Sequence, residues 1–280
     1  MHPSEKIRLI VLKYENIDAI RQIWDIGSRD GQDSLALADA FPWATINSFE
    51  PNPDVFHLVK EVATQSNGKI AARNIALSNT DGNITFHKID TSLTETTWKD
   101  GNPGASSIFL ASGEYTIEKY VQIPIEVKSC RATTLIEKES YRVPNLIWID
   151  VQGAEKIVLE GFQEYLSSVD FIFVELSLKN IYIGQSLANE VVKLLSGNFY
   201  WHSNLTMGTW QFDALFVNKR HRNFNLRIRN LLLFFSLKSK LQIGIKYSRP
   251  PLRTVLNRST KHLRNKVFNV VKRNDSKSNS

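Results

Sequence analysis

Short apolar runs alternate with stretches of helical periodicity through most of this chain, and that alternation restricts its fold more than any other feature. IWDIG reads as a buried strand, SRDG as a glycine-containing turn, and QDSLALADAF as a helix stopped by Pro42. TINSFEP is a second strand. PDVFHLVKEVATQ follows as a helix, with Pro53 near its start and apolar residues at Val55, Phe56, Val59 and Val62. Strand then helix, repeated, implies α/β wiring: a mainly parallel sheet with helices on both faces. A helical lead-in precedes it, with Ile7, Ile10, Val11, Ile17 and Ile20 as its apolar positions.

The pattern is interrupted and then resumes. KIAARNIAL and GNITFHKI read as two further strands flanking a turn at 79–82, and the Gly, Ser and Thr-rich stretch 91–113, which holds Ser106 and Ser107, reads as a long loop or lid. After VQIPIEVKS and a short helix at 134–138 come the strand NLIWIDVQG, the helix AEKIVLEGFQEYL, the strand FIFVELS and the helical NEVVKLLSG. FYWHSN and TWQFDALFVN are joined only by the turn LTMG, so the sheet should close in an antiparallel hairpin.

A chain of 280 residues with 42% apolar side chains can bury a substantial core, and the lone Cys130 excludes an internal disulfide and a Cys-rich zinc module. A reducing, cytoplasmic setting is the expectation. The N-terminal residues thread charges among their apolar neighbours, unlike a signal peptide, and no run approaches the roughly 18 apolar residues of a membrane span.

The net charge of +7 conceals a division. Residues 1–218 hold 18 Lys and Arg against 27 Asp and Glu, whereas 219–280 hold 17 against 1, so an acidic body of −9 carries a basic tail of +16. Within the tail, Leu231 to Phe235 and the series Leu252, Val255, Leu256, Leu263, Val267, Phe268 and Val271 are interspersed with Arg and Lys. Such basic amphipathic segments suit the headgroup region of an anionic membrane, at the inner face for a cytoplasmic protein, and they equally suit a solvated tail or a helix packed on the body. Nucleic acid is disfavoured, because no recognised binding motif accompanies the charge. Three regions result: a lead-in over 1–20, an α/β domain over 21–218 and the tail over 219–280.

In a sheet wired this way ligands bind beyond the carboxyl ends of the strands. The first strand delivers Asp25, Gly27 and Gly31. A dinucleotide fingerprint would need glycines at 29 and 32, where Arg29 and Gln32 stand, so pyrophosphate cradling is disfavoured. Glu50 ends the second strand, where a carboxylate can accept hydrogen bonds from both hydroxyls of a ribose. Nucleoside binding follows from that placement. Asp150 ends a later strand and is a candidate base or helix cap; Glu155 suits either catalysis or the first turn of a helix; Glu175 suits a site or a structural hydrogen bond; His202 is a candidate base or a packed strand residue. Asp150, Glu155, Glu175 and Asp213 are too scattered, with no His at ligand spacing, to support a metal.

DIGSRDG, FEPNP, NIALS, IDVQGAE and FVEL, in this order and spacing over about residues 23–218, resemble the FkbM family of S-adenosylmethionine-dependent methyltransferases. The resemblance implies a Rossmann-like methyltransferase fold, with a mainly parallel seven-stranded sheet ending in an antiparallel hairpin. It places Asp25, Gly27 and Gly31 around the methionine part of S-adenosylmethionine, Glu50 on its ribose, Asn74 and Ala76 near the adenine, and Asp150 at the reacting centre. The family's usual run is similar to IDVEGAE; here Gln152 replaces that glutamate. The implied activity is methyl transfer to a hydroxyl of a glycan, a lipid-linked saccharide or a glycosylated natural product. The competing reading is a non-catalytic cofactor-binding scaffold that works through its basic tail.

Overall fold

The computed structural model describes residues 1–221. Ten strands form two sheets. The main sheet contains β1 (Gln22–Ile26), β2 (Thr45–Phe49), β3 (Ile70–Arg73), β7 (Leu146–Ile149), β8 (Phe171–Ser177), β9 (Phe199–Asn204) and β10 (Gln211–Asn218), in the order β3-β2-β1-β7-β8-β10-β9. All neighbours are parallel except β10, which runs antiparallel to both β8 and β9. The expected seven-stranded sheet and its closing hairpin are therefore present. A smaller sheet sets β6 (Gln122–Cys130) between β4 (Ala76–Leu77) and β5 (Gly82–Ile89).

The central strands are apolar on both faces because both are covered. Trp24 and Ile26 of β1, Ile147 and Ile149 of β7, and Ile172 and Val174 of β8 share one core with α4 (Ala132–Lys138), α5 (Glu155–Glu160) and α6 (Ala188–Leu195). The intervening residues, Ile23, Leu146, Trp148, Phe171 and Phe173, face the opposite core with α1 (Pro3–Val11) and α2 (Gln32–Ala40), and α3 (Pro53–Gln65) packs its Val62 and Ala63 against that side. The lead-in belongs to this second core: Ile7, Ile10 and Val11 of α1, with Ile20, are buried in it. It is helical in α1 and in a single 3-10 turn at Ile17–Ala19.

Two expected elements differ in length. KIAARNIAL is two strands in two sheets: the ladder with β2 ends at Arg73, and the Asn74 side chain donates from Nδ2 to the carbonyls of Glu50 (2.8 Å) and Pro51 (3.2 Å) before the chain joins β6 as β4. The helix expected over AEKIVLEGFQEYL stops at Glu160. A Cβ on Gly161 would lie 2.1 Å from the Ser78 carbonyl oxygen, so only glycine lets the chain pass the second sheet there, and a 3-10 stretch, Gln163–Ser168, continues. The predicted tail begins late as well. Lys219 bonds the carbonyls of Ser196 and Gly197, and Arg220 and His221 converge on Asp170, so these residues are anchored on the domain. The amphipathic segments of the tail lie outside the described residues.

Trp24 centres the first core, against Phe49 (ring centroids 5.2 Å), Phe162 (5.3 Å) and Tyr141 (5.8 Å). Its indole nitrogen has no hydrogen-bond partner among the described residues. Trp24→Ala should therefore cost about 3–5 kcal/mol through the cavity it leaves, and Trp24→Phe less, because its cavity is smaller and no hydrogen bond is lost. Urea unfolding of the two variants checks this.

Candidate functional site

The sheet order reverses between β1 and β7, and a cavity of ≈ 420 Å³ opens beyond the carboxyl ends of the strands at this point. Its size falls in the range of small-ligand sites, about 300–1,000 Å³. Going across the sheet, Glu50 follows β2, Gly27 follows β1, Asp150 follows β7, β8 carries Glu175, and β10 starts with Gln211; all five line the cavity. Gly27 has φ +89, and a Cβ there would sit 1.8 Å from the Asp150 carbonyl oxygen, so this glycine is required by the crossing of two strand ends.

Glu50 is buried with both oxygens engaged. Oε2 accepts from the Arg29 backbone N–H (2.8 Å) and Oε1 from that of Asn52 (2.7 Å), so one carboxylate ties the β1–α2 turn to the β2–α3 turn. Each oxygen keeps a lone pair for a further donor in the cavity. Burial, partly offset by these two donors, pushes the Glu50 pKa up to about 7. The neighbouring wall, with Ile75, Ala76, Leu77 and Phe86, is apolar.

On the other side of Gly27 stands a carboxylate pair bridged by an amide. Gln152 Nε2 donates to Asp150 Oδ1 (2.6 Å) and to Glu175 Oε2 (3.3 Å), while its Oε1 accepts from the Tyr182 hydroxyl (3.1 Å). Gln211 Nε2 also donates to Glu175 Oε2 (2.5 Å). Burial raises Asp150 to about 6, with the Gln152 bond opposing it. Glu175 is raised well above the usual carboxylate range, by burial and then by the charges of Asp150, Glu155 and Asp213. Asp150 can thus be an ionised acceptor at neutral pH, beside a carboxyl whose charged form its surroundings disfavour.

The 91–113 loop forms a cover. Trp98 and residues 102–106 line the cavity, and each adjoining turn holds the loop. The Arg29 guanidinium bonds Asp100 (2.6 Å) and stacks on Trp98 (4.6 Å); Asn52 reaches Ser106 Oγ (3.4 Å); Ser107 Oγ donates to the Gln152 carbonyl (2.8 Å); the Tyr182 hydroxyl shares its one proton between the Ala105 carbonyl (2.7 Å) and Gln152 Oε1. Glu118 closes the far wall, held by Asn102 Nδ2 (3.0 and 3.2 Å), Thr96 Oγ1 and the Tyr120 hydroxyl (2.7 Å).

Of the residues singled out from sequence, Gly27, Glu50, Ala76, Asp150 and Glu175 converge on the cavity, and five do not line it. Asp25 is turned under α2, bonded by Ser34 Oγ (2.5 Å), and burial lifts its pKa to about 8. Gly31 opens α2 at φ +80, where a Cβ would press on Val59 and Val62 of α3, so it serves helix packing. Asn74 is spent on the Glu50 and Pro51 carbonyls. Glu155 folds back to accept the Gly153 N–H (3.0 Å), and burial raises it to about 7. His202 packs edge-on against Tyr14 (6.0 Å) and bonds Ser203. The capping alternative for Asp150 fails in its turn, since α5 starts at Glu155 with Ala154 at its cap. Among the described residues no group of three His, Cys, Asp or Glu side chains is arranged to hold a metal ion.

Sequence reasoning missed Arg29, Glu118, Tyr120, Tyr182 and Gln211. Gln211 carried a usable signal: the expected hairpin runs antiparallel to FIFVELS, which brings the start of the last strand to the end of that one. The others depend on how the loop closes.

Three comparisons bear on this geometry. The model of the methyltransferase FkbM domain matches residues 25–202. The chain is 29% identical over 193 residues to the hexuronic acid methyltransferase AglP of Haloferax volcanii, covering 69% of this chain and 67% of that protein. It is 29% identical over 190 residues to the 2-O-methyltransferase NoeI of Sinorhizobium fredii, covering 67% and 75%. Among solved structures, a methyltransferase FkbM from Methylobacillus flagellatus aligns at 11% identity and a TM-score of 0.45, over 70% of this chain and 43% of that one. The chain therefore spans less than half of that structure.

The raised Glu50 pKa makes a prediction about stability. A carboxyl whose folded pKa exceeds its unfolded value of about 4.5 stabilises fully below that value, and the contribution is lost as pH rises through about 7. Between pH 5.5 and 8 the ligand-free protein should lose about 1–2 kcal/mol through this group, and Glu50→Gln should show a correspondingly smaller drop. Urea unfolding at both pH values measures the difference.

Proposed function

Because the chain belongs to the FkbM methyltransferase domain family, we propose that it is an S-adenosylmethionine-dependent O-methyltransferase whose acceptor is a sugar hydroxyl of a glycan, lipid-linked saccharide or glycosylated natural product. One observation carries this reading: a single covered cavity sets a hydroxyl-gripping carboxylate, Glu50, on one side of Gly27 and the Asp150–Glu175 pair on the other. The names of the two curated relatives, a hexuronic acid methyltransferase and a 2-O-methyltransferase, support a sugar hydroxyl as the class.

The residues fit an adenosyl sulfonium. Glu50 has two free acceptor positions directed by backbone donors, the wall at Ile75, Ala76, Leu77 and Phe86 is apolar as a purine requires, and the cavity's carboxylates outnumber its single arginine, which suits a cationic centre. S-adenosylmethionine supplies an electrophilic methyl group on its sulfonium. Glu50 would hold the ribose hydroxyls, and Gly27 would let the backbone approach. Asp150 would accept the proton of the acceptor hydroxyl, since its Oδ1 is oriented by Gln152 and its pKa of about 6 leaves it ionised at pH 7. Glu175, whose charged form its surroundings disfavour, would orient the same hydroxyl. The 91–113 cover excludes water and fixes the acceptor for an in-line displacement. The engagement of Gln152 with three partners argues against reading it as the mark of a decayed, scaffold-only site.

We further propose that residues 222–280, beyond the anchored start of the tail, hold the enzyme at the cytoplasmic face of an anionic membrane, on the support of their 15 Lys and Arg against 1 Asp and their interspersed apolar residues. No helix among the described residues is long and apolar enough to cross a membrane. Removal of residues 222–280 should abolish co-sedimentation with phosphatidylserine liposomes and leave S-adenosylmethionine affinity unchanged; a truncated body that still sediments refutes the assignment.

The enzymatic reading is tested by transfer of labelled methyl from S-adenosylmethionine to a panel of glycans. Glu50→Ala should weaken S-adenosylmethionine binding at least about tenfold by calorimetry. Asp150→Asn should lower kcat by about 10²–10⁴ with cofactor affinity within a few-fold of wild type.

A further inference from the structure

Resting on the sugar O-methyltransferase reading, the character of the acceptor can be taken further from the charges that line its end of the cavity. Asp150, Glu175 and Glu118 present three acids there. Their counterparts are neutral: amides of Gln152, Gln211 and Asn102, and hydroxyls of Thr96 and Tyr120. Among the described residues, Arg29 is the one cation in the lining, and it is committed to Asp100 and Trp98 at the Glu50 end. Lys179 stacks over Trp210 at 4.4 Å and does not line the cavity.

The groups facing the acid pair from the surrounding elements add to the same sign: Glu155 from α5, Asp213 from β10 and Asp33 from α2, with Arg29 opposing from the β1–α2 turn. Burial and these neighbouring acids oppose ionisation of Asp150 and Glu175, and Arg29 is the cation that works against them, at Asp150. A further carboxylate would enter as one more like charge in a space shielded from water, where such repulsion is strong.

The same wall offers a surface to an uncharged ring. Tyr115 and Tyr120 line the cavity 5.7 Å apart, Tyr120 stacks on Tyr182 (6.1 Å), and Tyr115 meets Trp210 edge-on (5.2 Å), so the tyrosines are braced from behind. Braced aromatic faces bury the C–H face of a pyranose, while carboxylates and amide oxygens accept from its hydroxyls.

We propose that the acceptor end takes a neutral pyranose, lying against Tyr115 and Tyr120, and discriminates against the hexuronate of the same sugar because Asp150, Glu175 and Glu118 line that end and the one cation in the lining, Arg29, is already committed to Asp100. The full-length protein, with methyl-labelled S-adenosylmethionine, is offered matched glycans that differ only at C6: hydroxymethyl, carboxylate, or the methyl ester of that carboxylate. For any accepted sugar, kcat/KM for the neutral member should exceed that for the uronate at least about tenfold, and the ester should recover most of the loss. Equal or faster transfer to the uronate overturns the proposal. An ester as poor as the free acid also overturns it, because bulk rather than charge would then decide. Transfer to no member of any set removes the sugar reading itself, and this inference with it.

Discussion

A carboxylate buried where two strands turn into helices must find donors, and Glu50 finds them in the backbone of both turns. The Arg29 and Asn52 N–H groups each give it a bond, so two turns that line the cavity are tied together by one side chain. The cost of burial is visible in its raised pKa, and the two backbone donors limit that cost without removing it. A ligand that brings its own hydroxyl donors relieves the remainder.

Arg29 carries this constraint into the cover. Its backbone serves Glu50, in a left-handed conformation at φ +51, and its side chain reaches out to Asp100 and Trp98. The adjoining turns contribute in the same way: Asn52 beside Glu50 touches Ser106, and Gln152 beside Asp150 takes the Ser107 hydroxyl on its carbonyl. The turns that carry Glu50 and Asp150 are therefore also those that hold the loop over the cavity. Displacement of the loop would cost contacts at both ends of the cavity, a physical route by which occupancy at Glu50 can influence the acceptor side.

The fold was legible in the sequence because its signals are local or periodic. Trp24, Ile26 and Ile23 alternate between two cores within one strand, and Pro53 opens α3 where the pattern puts it. The site was legible only where chemistry sits at a strand end: Glu50, Gly27 and Asp150 lie there because β2, β1 and β7 end there. Asp25 and Gly31 share the same short run yet point elsewhere. One is the strand residue that faces α2, and the other must let α3 approach. Period-two alternation decides the first and interhelical distance the second, and neither is expressed in a run of identities such as DIGSRDG. Glu118 and Tyr120 were invisible for a different reason. They reach the cavity from the start of a second sheet whose placement depends on how residues 74–77 leave the first.

Gln152 shows how a departure in sequence can be absorbed by geometry. Its amide lies between two carboxyl groups, and an amide is a side chain that can donate to both at once while accepting from Tyr182. A carboxylate in that position would be an acceptor only. It would face Asp150 and Glu175 as a further acid, in a setting where burial and neighbouring acids already raise both, and it could be accommodated only with an extra proton or a cation. The backbone at residue 152 is also left-handed, at φ +52, and its carbonyl anchors Ser107 of the cover, so the side chain is aimed by a turn that the loop itself stabilises. Orientation of Asp150, neutrality at position 152 and closure of the loop are consequently one arrangement. A change at any of the three should be felt at the others.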